Sequence, residues 1–222
     1  VGCSYGAVVS TGDMRRADDA LRAADQLLYA SKSSGRRSAG RQAADALLQA
    51  LHERQPELDD HLHGVGDLAT MVGERLGLSV EELDLLRQAA ELHDPGKVAI
   101  PDSILSKPDS LDPDEWEFVR QHPLVGERII SAAPALAQVG KLVRASHERF
   151  DGAGYPDGKA GEEIPLGARI IAVCDAYDAM IGPRPYRLGM SDEVALDELH
   201  NCAGTQFDPM VVEVFRALYI VV

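Results

Sequence analysis

From Pro56 onward, apolar side chains recur at three- and four-residue intervals, the period of helices that bury one face. The stretch "ELDDHLHGVGDLATMVGERLGL" predicts one long amphipathic helix ending at Gly77. "SVEELDLLRQAAELHD" predicts a second, opened by Ser79 as N-cap with Glu82 three residues later, the spacing of a capping box. Asp112, Pro113 and Glu115 repeat that signature, with proline at the first helical position, where a missing N–H costs nothing. "GARIIAVCDAYDAM", "SDEVALDELHN" and "DPMVVEVFRALY" read as three more helices. Between Arg149 and Leu166 the periodicity lapses into a Gly- and Pro-rich loop, longer than an ordinary connection and so expected to have a task.

The first forty residues follow another pattern. "VGCSYGAVVS" has the β-branched and small residues of a buried strand, "RADDALRAADQLLYASK" has helical periodicity, and "SSGRRSAG" closes that helix. A strand and one helix cannot bury a core alone, so residues 1–40 are expected to be a fragment of a larger α/β unit. The Ala/Leu-rich segment "RQAADALLQALHE" is the expected connector. The predicted organisation is a strand-plus-helix fragment over 1–40, a helical linker over 41–54 and a mainly α domain over 55–222.

Composition narrows the function classes. With 222 residues, 45% hydrophobic and 26% charged, the chain reads as one globular domain plus a smaller piece. No stretch approaches the roughly 18 apolar residues of a membrane span, and the start lacks the basic and apolar regions of a signal peptide. A cytoplasmic location is therefore expected; a first residue of Val rather than Met fits a piece of a longer protein, whose upstream part could be membrane-associated. Cys3, Cys174 and Cys202 are too few and scattered for a disulfide framework. A net charge of −14 argues against binding a nucleic acid polymer, which needs a basic face. An acidic chain can still bind a small anion if metal ions, Lys or Arg supply local positive charge.

Candidate chemistry starts at "ELHDPGK". His93 and Asp94 close an apolar helix, and Pro95 and Gly96 turn the chain immediately afterwards. Adjacent helical residues point about 100° apart, so the pair can reach a common point only near a helix end. An imidazole beside a carboxylate suits a transition metal, and the carboxylate can bridge two ions. Alone, the dipeptide is a weak signal, and a satisfied core histidine is the better reading. His61, His122, His147 and Asp175 add to it, each in an apolar or small-residue context where a stray charge would be costly.

In order along the chain, "HLHGV", "LLRQAAELHDPGKVAIPDSILSKP", "QHPLVGERII", "SHERFDGAGYPDGKAGEEIPLGARIIAVCDAYDAM", "RPYR" and "AGTQFDP" resemble the HD-GYP family, a branch of the HD metal-dependent phosphohydrolases, over about residues 56–216. The resemblance includes the signature Gly154-Tyr155-Pro156. It implies a bundle of helices and metal-dependent hydrolysis of the bacterial second messenger cyclic di-GMP to pGpG, and in many members to GMP. The implied metal ligands are His61, His93, Asp94, His122, His147 and Asp175, with Asp94 bridging a binuclear iron or manganese centre and Glu57 matching a third-ion ligand of some members. Lys97 would contact the scissile phosphate; Tyr155, Arg184 and Arg187 would hold the dinucleotide.

One position departs from the family pattern: Ser146 stands where a second consecutive histidine is usual, beside His147, and removes one imidazole from the second ion. Two further readings therefore stay open, a receptor that binds the dinucleotide without turnover and an HD hydrolase of another phosphoester.

"GCSYGAVV" and "ALRAADQLLYASKSSGRRS" resemble the last strand and helix of a GGDEF (diguanylate cyclase) domain, with Asp25, Tyr29, Lys32, Gly35 and Arg36 matching. The GGDEF signature itself is absent from the 222 residues, so no cyclase activity is implied. An unpaired strand there predicts either disorder or pairing with another copy in a homodimer; the resemblance also implies GGDEF-type signalling partners.

Overall fold

The computed structural model describes residue 22, residues 39–51, residue 53 and residues 59–107, 109–182 and 189–219, with the side chains of 59–61 left aside. The strand expected near the N-terminus lies outside these residues. Nine helices hold the described chain: α1 (39–51), α2 (Asp59–Arg75), α3 (Val80–Glu91), α4 (Asp102–Leu105), α5 (Pro113–Ser131), α6 (Ala137–Ala145), α7 (Leu166–Ile181), α8 (Asp192–Asn201) and α9 (Pro209–Arg216). Short 3-10 turns occupy Pro95–Ala99, Pro134–Leu136 and Gly161–Glu163. No strand occurs among the described residues, only an isolated bridge between Ala203 and Phe207. The mainly α expectation holds.

Local chemistry sets the helix ends where the capping signals fall. Ser79 and Glu82 form a reciprocal capping box at the start of α3, and Asp112 and Glu115 do the same for α5 with Pro113 at its first position. Ser191 and Asp208 cap α8 and α9. Helix α6 has no counterpart among the predicted helices: it follows Leu136, an N-cap without a side-chain hydrogen bond, and carries a glycine near its centre, so its sequence lacks a start signal.

Helix α7 is the axis of the fold. It contacts α2, α3, α6, α8 and α9. Ala168, Ile170, Ile171, Val173, Cys174 and Tyr177 are all buried, so its apolar residues run nearly all round it, as in a helix enclosed by others. Val65, Ala69 and Val72 of α2, Leu86 and Ala90 of α3, Val143 of α6, Leu199 of α8 and Phe215 of α9 complete one core. Ala44 of α1 belongs to that core as well, and Arg41 ties α1 to Asp84 of α3 by an ion pair.

Candidate metal centre

Three neighbouring segments, the α3 exit, α5 and the α6 exit, bring polar side chains to one point beside α7. Helix α3 ends at Glu91 with Leu92 as its cap, so His93 and Asp94 lie just past the helix rather than within it. The carbonyl of Ala90 is one of the last four of α3, which have no helical donor. His93 Nδ1 donates to it at 2.7 Å. A carbonyl can only accept, so Nδ1 carries a proton and Nε2 is the ring atom that faces the site.

His122 is oriented by a different device. Pro123 sits inside α5 and has no N–H, so the carbonyl of Val119, four residues earlier, loses its helical donor. His122 Nδ1 donates to that carbonyl at 2.6 Å. The proline thus frees the acceptor that fixes the tautomer of the residue before it. Gly96 brings the two histidines together: a Cβ there would fall 1.9 Å from the His122 carbonyl oxygen, so only glycine lets the turn after Asp94 lie against α5.

Asp94 stands at the centre. One carboxylate oxygen, Oδ2, is 3.2 Å from His93 Nε2, and the other, Oδ1, is 3.2 Å from His122 Nε2 and 3.5 Å from His147 Nε2. Asp175, from α7, places Oδ1 3.6 Å from His93 Nε2. Asp94 therefore divides its oxygens between two groups, His93 with Asp175 on one side and His122 with His147 on the other. Lys97, on the 3-10 turn, forms an ion pair with Asp94 Oδ2.

The donor set fits a divalent cation. Asp94 Oδ1, His122 Nε2 and His147 Nε2 are buried without a hydrogen bond, although buried polar atoms are ordinarily satisfied. Ligand atoms of Asp94, His122 and His147 all lie within 4.8 Å of one another. Imidazole nitrogen and carboxylate oxygen are the donors that first-row transition ions take. The electrostatics agree: burial disfavours a charged His93, yet Asp94 and Asp175 outweigh it and hold its pKa well above the ordinary value. Burial likewise opposes the Asp94 charge, but His93 and Lys97 keep its pKa well below the usual carboxylate range.

Ser146 is buried and its hydroxyl donates to the Val143 carbonyl at 2.9 Å, so it closes the last turn of α6. His147 opens the Gly-rich loop, which is held by a residue that the sequence reading did not single out. Glu148 is buried and its two oxygens accept from the backbone N–H groups of Asp157 at 2.7 Å and Lys159 at 3.1 Å. An acid in "SHERF", followed by a turn-rich stretch with many free N–H groups, was the available signal. Gly154 packs so closely that a Cβ would fall 2.2 Å from the Arg149 nitrogen. Arg149 forks onto Asp151 and Gln206, and Phe150 and Asp151 donate to the carbonyls of Gln206 and Thr205, so "AGTQFDP" braces the loop.

Tyr155 stacks on His147 with ring centres 5.4 Å apart and planes 10° apart. Burial, then Asp94 and Asp175, push its pKa up to about 12, so at neutral pH it is a phenol able to donate. A cavity of about 360 Å³ opens beside it, lined among others by Trp116, Arg120, His147, Tyr155, Asp175 and Phe207. Of the expected site residues, the structure brings together His93, Asp94, Lys97, His122, His147, Tyr155 and Asp175. His61 has its backbone in α2 and its side chain outside the described residues; Glu57, Arg184 and Arg187 lie outside them too. Asp178 is turned to α2, with its carboxylate against Gly64. His63 and His200 are surface residues facing Glu91 and Glu213.

A helical domain that aims histidine and aspartate side chains from separate helices at a shared carboxylate defines a class, the HD domains. Residues 45–211 match the HD domain family, and the chain belongs to it. It is 42% identical over 175 residues to the cyclic di-GMP phosphodiesterase response regulator RpfG of Xanthomonas campestris, covering 78% of this chain and 46% of that protein. It is 40% identical over 175 residues to a cyclic di-GMP phosphodiesterase of Thermotoga maritima (78% and 48%), and 38% over 169 residues to 3'3'-cGAMP-specific phosphodiesterase 2 of Vibrio cholerae (75% and 32%). The chain thus spans less than half the length of these relatives. The fold resembles Bd1817, an HDG"Y"P protein from Bdellovibrio bacteriovorus, with TM-score 0.62 at 18% identity over 85% of this chain and 63% of that one. It also resembles the cyclic GMP-AMP specific phosphodiesterase V-cGAP3 of Vibrio cholerae, with TM-score 0.63 at 22% identity over 82% and 48%.

Proposed function

We propose that this domain hydrolyses a phosphodiester bond of cyclic di-GMP, giving pGpG, or GMP where a second cut follows, with iron or manganese held by His61, His93, Asp94 and Asp175 on one side and Asp94, His122 and His147 on the other. The observation that carries the reading is the divided carboxylate of Asp94, whose two oxygens face separate imidazole groups. The names of the relatives supply the substrate class.

Divalent ions at such a site neutralise phosphoryl charge and lower the pKa of a bound water. The chain's own residues do the rest. The Nδ1 bonds of His93 and His122 hold the two rings in place with Nε2 turned to the site before any ligand arrives. Lys97, beside Asp94, brings a positive charge to where anionic oxygens would lie. Tyr155, kept neutral and packed on His147, offers a hydroxyl and an aromatic surface at the cavity wall. Arg184 and Arg187 are proposed to grip the remaining phosphate and base. On this reading the domain works in the cytoplasm, and residues 1–40 are the end of a GGDEF-like unit through which it would pair with a second copy or a signalling partner.

The test is anaerobic incubation of protein loaded with Fe(II), or separately with Mn(II), with cyclic di-GMP, and product separation by chromatography. Appearance of pGpG or GMP is expected; no product with either ion overturns the proposal. The Ser146 hydroxyl, committed to Val143, favours one second reading, a dinucleotide receptor. Calorimetric binding of cyclic di-GMP without turnover would select it.

A further inference from the structure

The rings around the second ligand group come from three different segments. His122 lies on α5, His147 follows α6, and Tyr155 lies on the Gly-rich loop. Ring centres are 4.6 Å apart for His122 and His147, 5.4 Å for His147 and Tyr155, and 6.2 Å for His122 and Tyr155. His93 and His122 are each fixed by an Nδ1 bond to a carbonyl, but His147 has no such bond among the described residues. Its direction therefore depends on where the neighbouring segments stand, and chiefly on Tyr155 lying flat against it.

Arg144 ties together those same three segments. It lies on α6, three residues before His147. Its Nε and Nη2 donate to the two carboxylate oxygens of Asp157 at 2.8 and 2.7 Å, and Asp157 follows Tyr155 by two residues. Its Nη1 donates at 2.8 Å to Glu127, five residues after His122 on α5. A planar guanidinium serves three oxygens in fixed directions, which a lysine ammonium on its flexible stem cannot do. Asp157 is held a second time, by its own N–H to Glu148, so the loop has two anchors just after Tyr155. Helices α5 and α6 approach closely enough for this reach: a Cβ at Gly140 would fall 3.3 Å from the Glu127 carbonyl oxygen.

We propose that Arg144 is a positioning residue for the ion at His122 and His147: by joining α5, the end of α6 and the loop, it sets Tyr155 against His147 and so aims the His147 ring at Asp94. An exposed ion pair ordinarily does little. This guanidinium is only 34% exposed, grips Asp157 with two parallel bonds, and draws its two carboxylates from different segments. Without the cation, Glu127 and Asp157 would be left as like charges that push the loop away from α5. His93 and Asp175 stand on other segments, the α3 exit and α7, so the effect falls on one ligand group and spares the other. The inference rests on the proposed metal centre and not on the identity of the substrate.

The test uses Arg144→Gln and two readouts that loss of stability alone would not move. In metal-free protein at fixed pH, the NMR signals of the His147 ring protons should shift towards the positions they take in Tyr155→Leu, while those of His93 stay in place. In calorimetric titration with Mn(II), the binding step that His147→Ala removes should weaken about tenfold, the lower end of what losing a ligand's supporting contacts costs. The remaining step should keep its affinity. Arg144→Lys keeps a charge between the two carboxylates and should change both readouts less, in the same direction; it carries the comparison if the glutamine variant does not fold. His147 ring protons that stay in place, or a Mn(II) step of unchanged affinity, overturn the proposal even if Tm falls. If the unaltered protein binds no Mn(II), the proposed metal centre fails, and the ring protons alone decide whether Arg144 positions His147.

Discussion

Replacing Pro123 by Ala should move stability and metal affinity in opposite directions. The substitution restores an N–H at position 123, which can bond the Val119 carbonyl in the ordinary helical way, and so competes with His122 Nδ1 for an acceptor it now reaches at 2.6 Å. Proline in a helix interior costs about 3 kcal/mol relative to alanine. Pro123 is buried, and losing two ring carbons there returns about 1.6 kcal/mol of that, at roughly 0.8 kcal/mol each. The net expectation is about 1.4 kcal/mol of added stability, a rise in Tm of roughly 3–5 °C for a domain of this size. Against this, a hydrogen bond of this kind is worth about 0.5–1.5 kcal/mol, so weakening it costs up to about tenfold in affinity at the site that uses His122. Thermal denaturation of metal-stripped protein gives the first quantity, and calorimetric titration with Mn(II) the second. A raised Tm with unchanged Mn(II) affinity would refute the argument that the missing N–H serves the ligand. A lowered Tm would show that the ring's packing outweighs its backbone cost.

Other consequences follow from the same geometry. Asp94→Asn should reduce bound metal at both ligand groups at once, measured as metal per chain by elemental analysis; full occupancy in the variant would contradict a shared carboxylate. Glu148→Ala removes the acceptor for two loop N–H groups and should lower unfolding free energy by about 3 kcal/mol in urea, with Glu148→Gln losing roughly half as much. Asp157 is held below the usual carboxylate range, chiefly by its hydrogen bonds from Arg144. A depressed folded-state pKa gives stability that is present above the unfolded value, near 3.9, and lost as pH falls through the folded value. Asp157→Asn should therefore be less stable than the unaltered protein at pH 7, and urea unfolding should show the gap narrowing as pH falls below the unfolded value; a gap that stays constant on acidification would mean the Arg144 pairing is not its source.

How much was legible in advance follows from how local each signal is. Ser79 with Glu82 and Asp112 with Glu115 mark helix starts because a cap bonds within three residues of itself, and those starts fall where expected. Helix α6 was not legible, since Leu136 offers no cap and the helix is held by its contacts with α3, α5 and α7, which no local window contains. His93 and Asp94 were legible as a pair, but their position just beyond α3 depends on the cap at Leu92. Glu148 escaped notice for a further reason: its partners, the N–H groups of Asp157 and Lys159, are backbone atoms that every residue type supplies. The role of Pro123 required the structure too, because a proline after a histidine carries meaning only once Val119 is seen to be the acceptor it releases.

The centre is also asymmetric in a way that bears on order of binding. Among the described residues, the group around His93 takes its second carboxylate from Asp175 on the enclosed helix α7, whose position is fixed by packing on five neighbours. The group around His122 and His147 relies on Asp94 and on a histidine at the start of a loop, and Ser146 closes α6 where one more donor would have pointed inward. Carboxylates attract a cation more strongly than neutral imidazoles, and rigid ligands lose less freedom on binding. The His93 side should therefore fill first, and the His122 side should fill at higher metal concentration, with Tyr155 stacking on His147 as its main restraint. A Mn(II) titration should accordingly show two steps, and His147→Ala should abolish only the weaker one. Loss of the tighter step instead would reverse the assignment and place the principal site between α5 and the loop.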